Sequence, residues 1–315
     1  LVSGITTARQ RVNKFAQEIT TGFKVQNPGD SNVSGTISKY RESLSKIEGY
    51  KTTSTTVKAS LNFQDDVLAQ GTELLIRAQE IGEQGANETL SPAQRQKLSE
   101  ELFQIRDHLV TLANSTFNGK YLWGGLDDDD PQFDAAYADP PTGLASQRFI
   151  YDPGIEHQHV NTIQISDDLS LAVNTQGDRV WSNSIAAVER MARALAGYST
   201  NPATGMPDGT GAAYTQPADY SVQTADIRAA LDLVGQARET DLIVERVNIG
   251  ARVRRIETAE NVLSLARAQA EEVLDRLQNT DVAESGANLT EAQTALQASL
   301  TVTTNLLRQS ILDYL

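Results

Sequence analysis

Few residues in this sequence have the types and spacing that chemistry requires, and the first group is a run of carboxylates. Asp127 to Asp130 are four consecutive acidic residues, and carboxylate oxygens are the ligands that a hard cation such as Ca²⁺ prefers. Calcium loops alternate their ligands around a turn-forming glycine, and this run lacks that spacing. His157 and His159 would share one face of a strand, as two metal ligands could. Because no third ligand is identifiable, the sequence predicts a solvated acidic loop, surface histidines and no metal or cofactor.

Nucleophilic catalysis has equally little support. Ser43-Leu44-Ser45-Lys46 matches the S-x-x-K pattern of serine acyl-enzymes, but Leu44 lies within a heptad repeat and the partner motifs are missing. Cysteine is absent, which excludes disulfides and thiolate chemistry. The G-x-S-x-G, P-loop and H-E-x-x-H motifs are also absent. We therefore expect no enzyme. A catalytic or carbohydrate-binding module on the middle third of the chain is the unlikely alternative.

Charge and hydropathy exclude two further classes of protein. The chain has 315 residues with 41 acidic and 27 basic side chains, which gives a formal net charge of −14. Nucleic-acid binding needs clustered Lys and Arg, so we expect no nucleic-acid partner. No apolar stretch approaches the roughly 18 residues of a membrane-spanning helix, so no membrane insertion is expected. The first segment lacks the apolar core of a secretory signal, which favours export without a cleaved signal peptide. It does not begin with Met, so a few preceding residues could be missing.

The secondary structure that the sequence predicts is mainly helical, and the clearest helices lie at the two ends of the chain. Apolar residues recur there every three or four positions, which is the pattern of helices that pack on other helices. From this repeat we predict an assembly interface, and its residues are Ile5, Val12, Phe15, Ile19, Leu289, Leu296, Leu300, Leu307, Ile311 and Tyr314.

Each terminal repeat lacks an adjacent partner, because a glycine-containing segment, 20–35, separates the first helix from the next one. An isolated helix of this length is marginally stable in water. The apolar residues must therefore contact the other terminus of the same chain or other chains. An intramolecular pair and a multi-chain helical tube both remain open, and the tube is favoured. On this argument the ends of an isolated chain, roughly 1–35 and 283–315, would be mobile.

Longer helices lie inside the terminal ones. A periodic run from about residue 40 ends at Gly82 and Gly85. Ser91-Pro92-Ala93-Gln94 then has the pattern of a capping box that opens a helix ending near Asn114. A third long helix should run from Thr224 to about Asn279. It contains the basic cluster Arg252, Arg254 and Arg255 with the acids Glu245, Glu257 and Glu260 nearby, for which we expect i, i+4 ion pairs or a subunit contact.

The middle third differs from the rest because it contains seven of the nine prolines, which disfavour long helices. Short alternating runs predict strands and hairpins, namely RFIYD (148–152) and NTIQISDDLSLAVNTQGDRVW (161–181), with a short helix from Ile185 to Leu195. Trp123 and Trp181 flank this part and are expected to pack at its hinge.

Together these elements predict a mainly α fold with a β-rich insertion. The molecule should be elongated, with long antiparallel coiled-coil helices from both termini and a small middle β domain. The expected domains are terminal coiled-coil segments at 1–35 and 283–315, a long-helix rod at 36–125 and 222–282, and a β-rich outer insertion at 126–221.

Several stretches resemble the bacterial flagellin superfamily, which contains flagellin and the hook-associated proteins. The loop TTGFKVQNPGDSNVSG (20–35) and the helix NIGARVRRIETAENVL (248–263) are similar to those of the superfamily as a whole. The hook-associated branch is resembled in five places, namely Ser91-Pro92 with Arg95, Leu112-Ala113-Asn114, GKYLWGG (119–125), VNTQGDRVW (173–181), which resembles a strand of that branch, and SILDYL (310–315). Thr116 to Gly119 is nearer to flagellin.

The resemblance implies a structural role in the bacterial flagellum, which is to join hook to filament by self-assembly of the helical termini. Flagellin, the filament subunit itself, is the alternative. The implied partners are copies of the same chain in a ring, with the first hook-associated protein and flagellin as neighbours. An export chaperone on the C-terminal helix is also implied. The implied location is extracellular, after export by the flagellar type III apparatus.

Overall fold

The computed structural model describes residues 2–24, 33–125, 130–135, 149–151, 160–198 and 219–312. Most of these residues are helical, and the strands are short, so the predicted mainly α fold with a small β-containing insertion is confirmed. The helices are α1 (Val2–Thr21), α2 (Ser34–Gly85), α3 (Pro92–Ala113), α4 (Asn183–Ala196), α5 (Asp219–Ala237), α6 (Val244–Gln278) and α7 (Val282–Leu312). The strands are β1 (Thr116–Phe117), β2 (Lys120–Tyr121), β3 (Phe133–Ala135), β4 (Phe149–Tyr151), β5 (Thr162–Ser166) and β6 (Leu169–Ala172).

The chain divides into two compact units. The first unit contains Leu1–Gly49 and Asn261–Leu315, and the second contains Tyr50–Glu260. Helices α2 and α6 each contribute residues to both units. The finer domain limits expected from the sequence, with an insertion at 126–221, stay a prediction.

The core of the second unit lies where α3, α4, α5 and the adjoining parts of α2 and α6 meet. Polar side chains pair α2 with α6 in antiparallel order, because Lys58 bonds Glu257 at 2.8 Å and Asp65 bonds Arg246 at 2.9 Å. Gly71 and Gly82 of α2 allow close approach to its neighbours. A Cβ at Gly71 would lie 2.8 Å from the Trp181 ring, and one at Gly82 would lie 2.5 Å from the sulfur of Met191.

The predicted start of α3 is confirmed in detail. The Ser91 hydroxyl accepts from the backbone N–H of Gln94, and the Gln94 side chain accepts from the backbone N–H of Ser91 at 2.9 Å. This is a reciprocal capping box with Pro92 at the first position of the helix. The helix ends at Ala113, as expected from the sequence.

The strands form three antiparallel pairs, β1–β2, β3–β4 and β5–β6. The run 161–181 was predicted to form strands and hairpins, and its first part, 162–172, is a hairpin that buries Ile165 and Leu171. At the turn between β1 and β2, Asn118 and Gly119 both have positive φ, 52° and 79°. That backbone suits a tight hairpin, in which Asn followed by Gly is preferred.

One strand prediction is wrong. Residues Asp178–Ser182 form a π-helical segment that continues directly into α4. The reason is that neighbouring Val180 and Trp181 are both buried, whereas neighbouring residues of a strand point to opposite faces. Trp123 and Trp181 pack edge to face with ring centroids 5.9 Å apart, and both are fully buried. Their predicted packing role is confirmed.

Candidate functional site: the terminal helix pair

The two ends of the chain pack against each other in the first unit. Helices α1 and α7 are in contact and run antiparallel, because Ser3 lies beside the same cleft as Ser299, while Glu18 bonds Ser285. Each terminal repeat thus has the other terminus as a partner within its own chain. Of the two arrangements left open by the sequence, the intramolecular pair is present in the single chain.

A backbone bridge closes the base of this pair. Phe23, which follows α1, and Asn279, which precedes α7, form an antiparallel β-bridge. The Lys24 N–H donates to the carbonyl of Gln278 at 2.8 Å, and the Thr280 N–H donates to the carbonyl of Gly22 at 2.9 Å. Gly22 has a φ of 77°, a left-handed backbone that favours glycine. These bonds fix the end of α1 to the turn between α6 and α7.

A buried carboxylate lies just above the bridge. Glu18 is 7% exposed and accepts a hydrogen bond from the Ser285 hydroxyl at 3.0 Å. The Ser285 oxygen in turn lies 2.7 Å from the hydroxyl oxygen of Thr280, and Lys14 lies 3.9 Å from the carboxylate. Because a buried carboxylate needs these particular donors, the cluster fixes the register of the two helices.

Sequence reasoning missed this polar cluster, although one signal for it was available. The Asp281 carboxylate accepts from the backbone N–H of Ala283 at 2.9 Å and from that of Glu284 at 3.3 Å. Asp281 with Glu284 has the spacing of a helix start, which would have placed the beginning of α7 at this point. Nothing in the heptad repeat indicates that Glu18 is buried.

The predicted interface residues lie along the pair, and the large ones are only partly covered. Ile5, Val12, Phe15, Ile19, Leu289 and Leu296 are half-buried, and Leu300 is 47% exposed. Leu307 and Ile311 belong to α7, but their side chains lie outside the described part of the structure. Tyr314 lies outside the described residues altogether.

What the pair buries completely is small or polar. Among the described side chains of α1 and α7, the buried ones are Ala8, Glu18, Ser285 and Ala292. The larger apolar side chains of both helices keep part of their surface in contact with solvent. On α7, Leu300, Val302 and Leu306 are all exposed, by 47%, 52% and 43%. One chain therefore leaves much of its apolar terminal surface uncovered.

A shallow cleft of about 530 Å³ runs between the two helices. Its lining residues are Ser3, Gly4, Thr7, Ala8, Arg11, Phe15, Asn288, Glu291, Ala292, Ala295 and Ser299. Most of them are small, so the backbones of α1 and α7 are accessible to another bulky side chain or helix. Arg11 and Glu291 place one charge of each sign in the cleft.

Arg267 of α6 forms two exposed salt bridges in the first unit. Arg267 lies 2.8 Å from Glu48 of α2 and 2.8 Å from Glu271 of its own helix. The hydrogen bond with Glu271, together with the charges of Glu271 and Glu48, raises the pKa of Arg267 above its ordinary value. The side chain is exposed, so this pairing adds little stability.

The motif residues that carry the family resemblance have a different, internal role. Arg95 is buried, and its guanidinium donates to the side chains of Gln223 and Thr224 and to the carbonyl of Asn87. Burial lowers the pKa of Arg95 below its ordinary value. Gln223 also donates to the carbonyl of Ala194 at 2.7 Å. Arg95 thus joins the start of α3 to the start of α5 and the end of α4.

Asn114, at the other end of α3, likewise forms hydrogen bonds to a neighbouring segment of the chain. Its side-chain oxygen accepts from the backbone N–H groups of Gln132 and Phe133, both at 3.0 Å, and its amide donates to the carbonyl of Phe133 at 2.9 Å. Asn174 donates to the carbonyl of Gly125 at 2.7 Å. These bonds hold the strands of the insertion on the helical core, so the motifs are structural rather than part of the terminal surface.

The alternatives with chemistry find no support in the described residues. Within them, no group of three His, Cys, Asp or Glu side chains could hold a metal ion. Asp127 to Asp129, His157 and His159 lie outside them. Lys46 of the S-x-x-K match is exposed and lies 3.3 Å from Glu42. No helix in the part of the chain that the structure describes is long and apolar enough to cross a membrane.

The basic cluster of α6 divides into two parts. Arg252 donates to Glu245, seven positions earlier in the chain, at 3.1 Å and to the Thr175 hydroxyl at 3.0 Å, so its ion pair is not of the expected i, i+4 type. Arg254 and Arg255 are exposed, and neither forms an ion pair with any described residue.

These features define a class, that of mainly helical proteins whose two termini pair and leave part of their apolar surface exposed. Two family models match the chain, the bacterial flagellin N-terminal helical region at residues 1–127 and the bacterial flagellin C-terminal helical region at residues 231–315. Together they cover about two thirds of it, and the chain belongs to the bacterial flagellin family.

Curated relatives and solved structures agree with this placement. Flagellar hook-associated protein 3 of Escherichia coli strain K12 is 24% identical over 306 residues, which are 94% of this chain and 90% of that protein. The protein of the same name from Salmonella typhimurium is 31% identical over 137 residues, 43% of each chain.

Among solved structures, a flagellar hook-associated protein from Vibrio parahaemolyticus has a TM-score of 0.63 at 15% identity, covering 80% of this chain and 99% of that one. Hook-associated protein 3 from Legionella pneumophila has a TM-score of 0.63 at 14% identity, covering 76% and 98%. At these identities the structural likeness shows the fold alone.

Proposed function

We propose that this chain is the structural subunit that joins hook to filament in the bacterial flagellum, and that it has no catalytic activity. The observation that carries the proposal is the terminal helix pair, in which no large apolar side chain among the described ones is fully buried. The curated relative that matches 94% of the chain is named a hook-associated protein, which supports the same role.

The terminal pair is well suited to assembly because it is stable enough to form in one chain yet incomplete. The backbone bridge and Glu18 hold α1 and α7 in register, so each copy presents the same surface. Burial of apolar surface contributes roughly 25 cal/mol per Å², and this gain recurs in every copy. Several such pairs packed side by side would cover the exposed residues of α7 and fill the small-residue cleft.

The partners follow from this role. Copies of the chain would form a ring, with the first hook-associated protein on one side and flagellin on the other. Before assembly, the exposed Leu300, Val302 and Leu306 need a cover, which is the task we assign to an export chaperone on α7. The site of action is the flagellum outside the cell, reached by export without a cleaved signal peptide.

Flagellin itself is the second candidate. The hairpin turn at Asn118 and Gly119, within the Thr116 to Gly119 stretch that resembles flagellin, favours it. The two roles differ in what the purified protein does by itself. A filament subunit polymerises into long filaments, whereas a junction subunit stays monomeric or forms short assemblies until neighbours are present.

A truncation tests the proposal directly. Cells that produce the chain without residues 289–315, in place of the intact chain, should secrete flagellin but carry no attached filaments. Electron microscopy of cells and an immunoblot of the medium measure both quantities. The intact chain is the control, and immunogold labelling should place it at the boundary of hook and filament. Normal attached filaments with the truncated chain would refute the role of α7, and labelling along the filament would favour flagellin.

A further inference from the structure

We propose that two faces of the second unit form a contact between neighbouring copies of this chain. The α6 face consists of Val244, Val247, Arg254 and Arg255 of α6, with Ile243 at the end of the π-helical segment Arg238–Ile243 that precedes this helix. The α2 face consists of Asp66, Ala69, Glu73, Ile76, Glu80 and Glu83. The inference rests on the proposed function, because it requires that copies assemble side by side. It adds a contact outside the terminal helices.

The α6 face is apolar and basic, and the part of the chain that the structure describes leaves it exposed. Ile243, Val244 and Val247 are 39%, 49% and 62% exposed. β-branched residues are poorer helix formers than Ala, so helix propensity does not explain two valines at exposed positions. Arg254 and Arg255 extend from the same side, opposite the buried residues Leu242, Ile249 and Ile256.

The α2 face has the opposite charge and a regular repeat. Its residues are spaced alternately by three and four, which places them in one line along the helix. Glu73 and Glu83 are exposed, and neither forms an ion pair with a described residue. Ile76 is 42% exposed in the middle of the line, and Glu80 lies 2.9 Å from Arg77. The face therefore presents carboxylates around one apolar side chain.

The two faces complement each other in charge and in apolar content, but one chain cannot bring them together. Within a chain, α2 and α6 contact each other through other residues, namely Asp65 with Arg246 and Lys58 with Glu257. The occupant of each face is therefore the other face of a second copy. Because the two faces differ, the contact is head-to-tail, and a contact of this type generates rings or helical assemblies. Opposite charges would also select this pairing over contact between like faces.

Photo-crosslinking tests the contact in assembled flagella. A chain with p-benzoyl-phenylalanine in place of Val247 is produced in cells that lack the intact chain, and isolated flagella are irradiated. We expect a product of twice the chain mass, in which mass spectrometry finds the crosslink within residues 62–84 of a second copy. The same amino acid in place of Arg228, an exposed arginine of α5, is the control and should give no such product.

A charge reversal adds a second measurement. Arg254→Glu should lower the yield of crosslinked product at least tenfold, and Glu73→Arg in the same chain should restore part of it. The matched control Arg228→Glu changes the net charge equally and should leave the yield unchanged. A crosslink elsewhere, or an equal yield with Arg254→Glu, would overturn the contact.

Failure of the contact and failure of the proposed function give different results. Attached filaments without a crosslink to residues 62–84 would overturn the contact and leave the junction role intact. The expected crosslink found along the whole filament would support the contact and refute the junction role. Absence of the chain from isolated flagella would refute both.

Discussion

Leu300→Asp tests whether the apolar residues of α7 serve assembly or the fold of the single chain. Leu300 lies on the helix that packs against α1, yet 47% of its surface remains exposed in the chain. The substitution replaces an apolar side chain by a carboxylate at a position that water already reaches. We expect a soluble, normally helical monomer that fails to assemble.

The expected loss of stability depends on how much of Leu300 is buried in the monomer and in the assembly. Full burial of a leucine side chain is worth about 1.5–3 kcal/mol, and the monomer gains roughly half of it. The monomer should therefore lose about 1 kcal/mol, which corresponds to a few degrees in melting temperature. In the assembly the rest of that burial is lost, and an unpaired buried carboxylate adds several kcal/mol in every copy.

Two measurements on one set of variants decide the question, the melting temperature of the monomer and the fraction of cells with attached filaments. Ala292→Asp is the matched control, because Ala292 lies on the same helix but is only 5% exposed. Its carboxylate would be buried within the pair, so the control should melt the terminal unit of the monomer. A large fall in melting temperature for Leu300→Asp would mean that Leu300 belongs to the internal core. Unchanged filament retention would mean that this surface takes no part in assembly.

Three further predictions concern the packing within each of the two units. Gly71→Ala should cost about 1–3 kcal/mol in the free energy of unfolding, because the new methyl would lie 2.8 Å from the ring of Trp181. Gly49→Ala in the same helix meets nothing within 4 Å and should stabilise by about 0.5–1 kcal/mol, so equal effects in urea titrations would contradict the close approach. Arg95→Ala should lower the free energy of unfolding by about 3 kcal/mol in the same titrations. Arg95→Lys should not restore this stability, since only the guanidinium reaches three acceptors. Full restoration by Lys would mean that Arg95 acts only through its charge. Glu18→Ala should lower the free energy of unfolding of the terminal unit by about 1–3 kcal/mol, measured by thermal unfolding with the helical circular dichroism signal. An unchanged transition would show that the backbone bridge alone holds the register of α1 and α7.

The parts of the fold that the sequence predicts well are those fixed by local interactions. The capping box at Ser91 needs only four consecutive residues, so its pattern predicts the start of α3 correctly. The seven-residue repeat of Leu242, Ile249 and Ile256 likewise predicts the buried side of α6, because helix geometry alone places these residues on one face.

Predictions failed or fell short where distant residues decide the outcome. Alternating residues up to Trp181 predict a strand, but Val180 and Trp181 both pack into the core and Asp178–Ser182 is helical. The sequence predicts each residue of the assembly interface. It does not show which of these residues are already buried between α1 and α7 of one chain. The spacing of apolar residues in a segment does not show which distant segment of the chain packs against it.

The sequence by itself determined the helical termini, the absence of thiol chemistry and the family, since each follows from residue types at short or regular spacing. Only the tertiary structure decided that α1 and α7 pair within one chain and that Glu18 and Ser285 set their register. It also decided that Arg95 is buried and joins the ends of α3, α4 and α5 by hydrogen bonds, while Arg254 remains exposed. The physical reason is that burial and hydrogen bonding of a side chain depend on which residues the fold brings to it, and Glu18 and Ser285 are 267 positions apart.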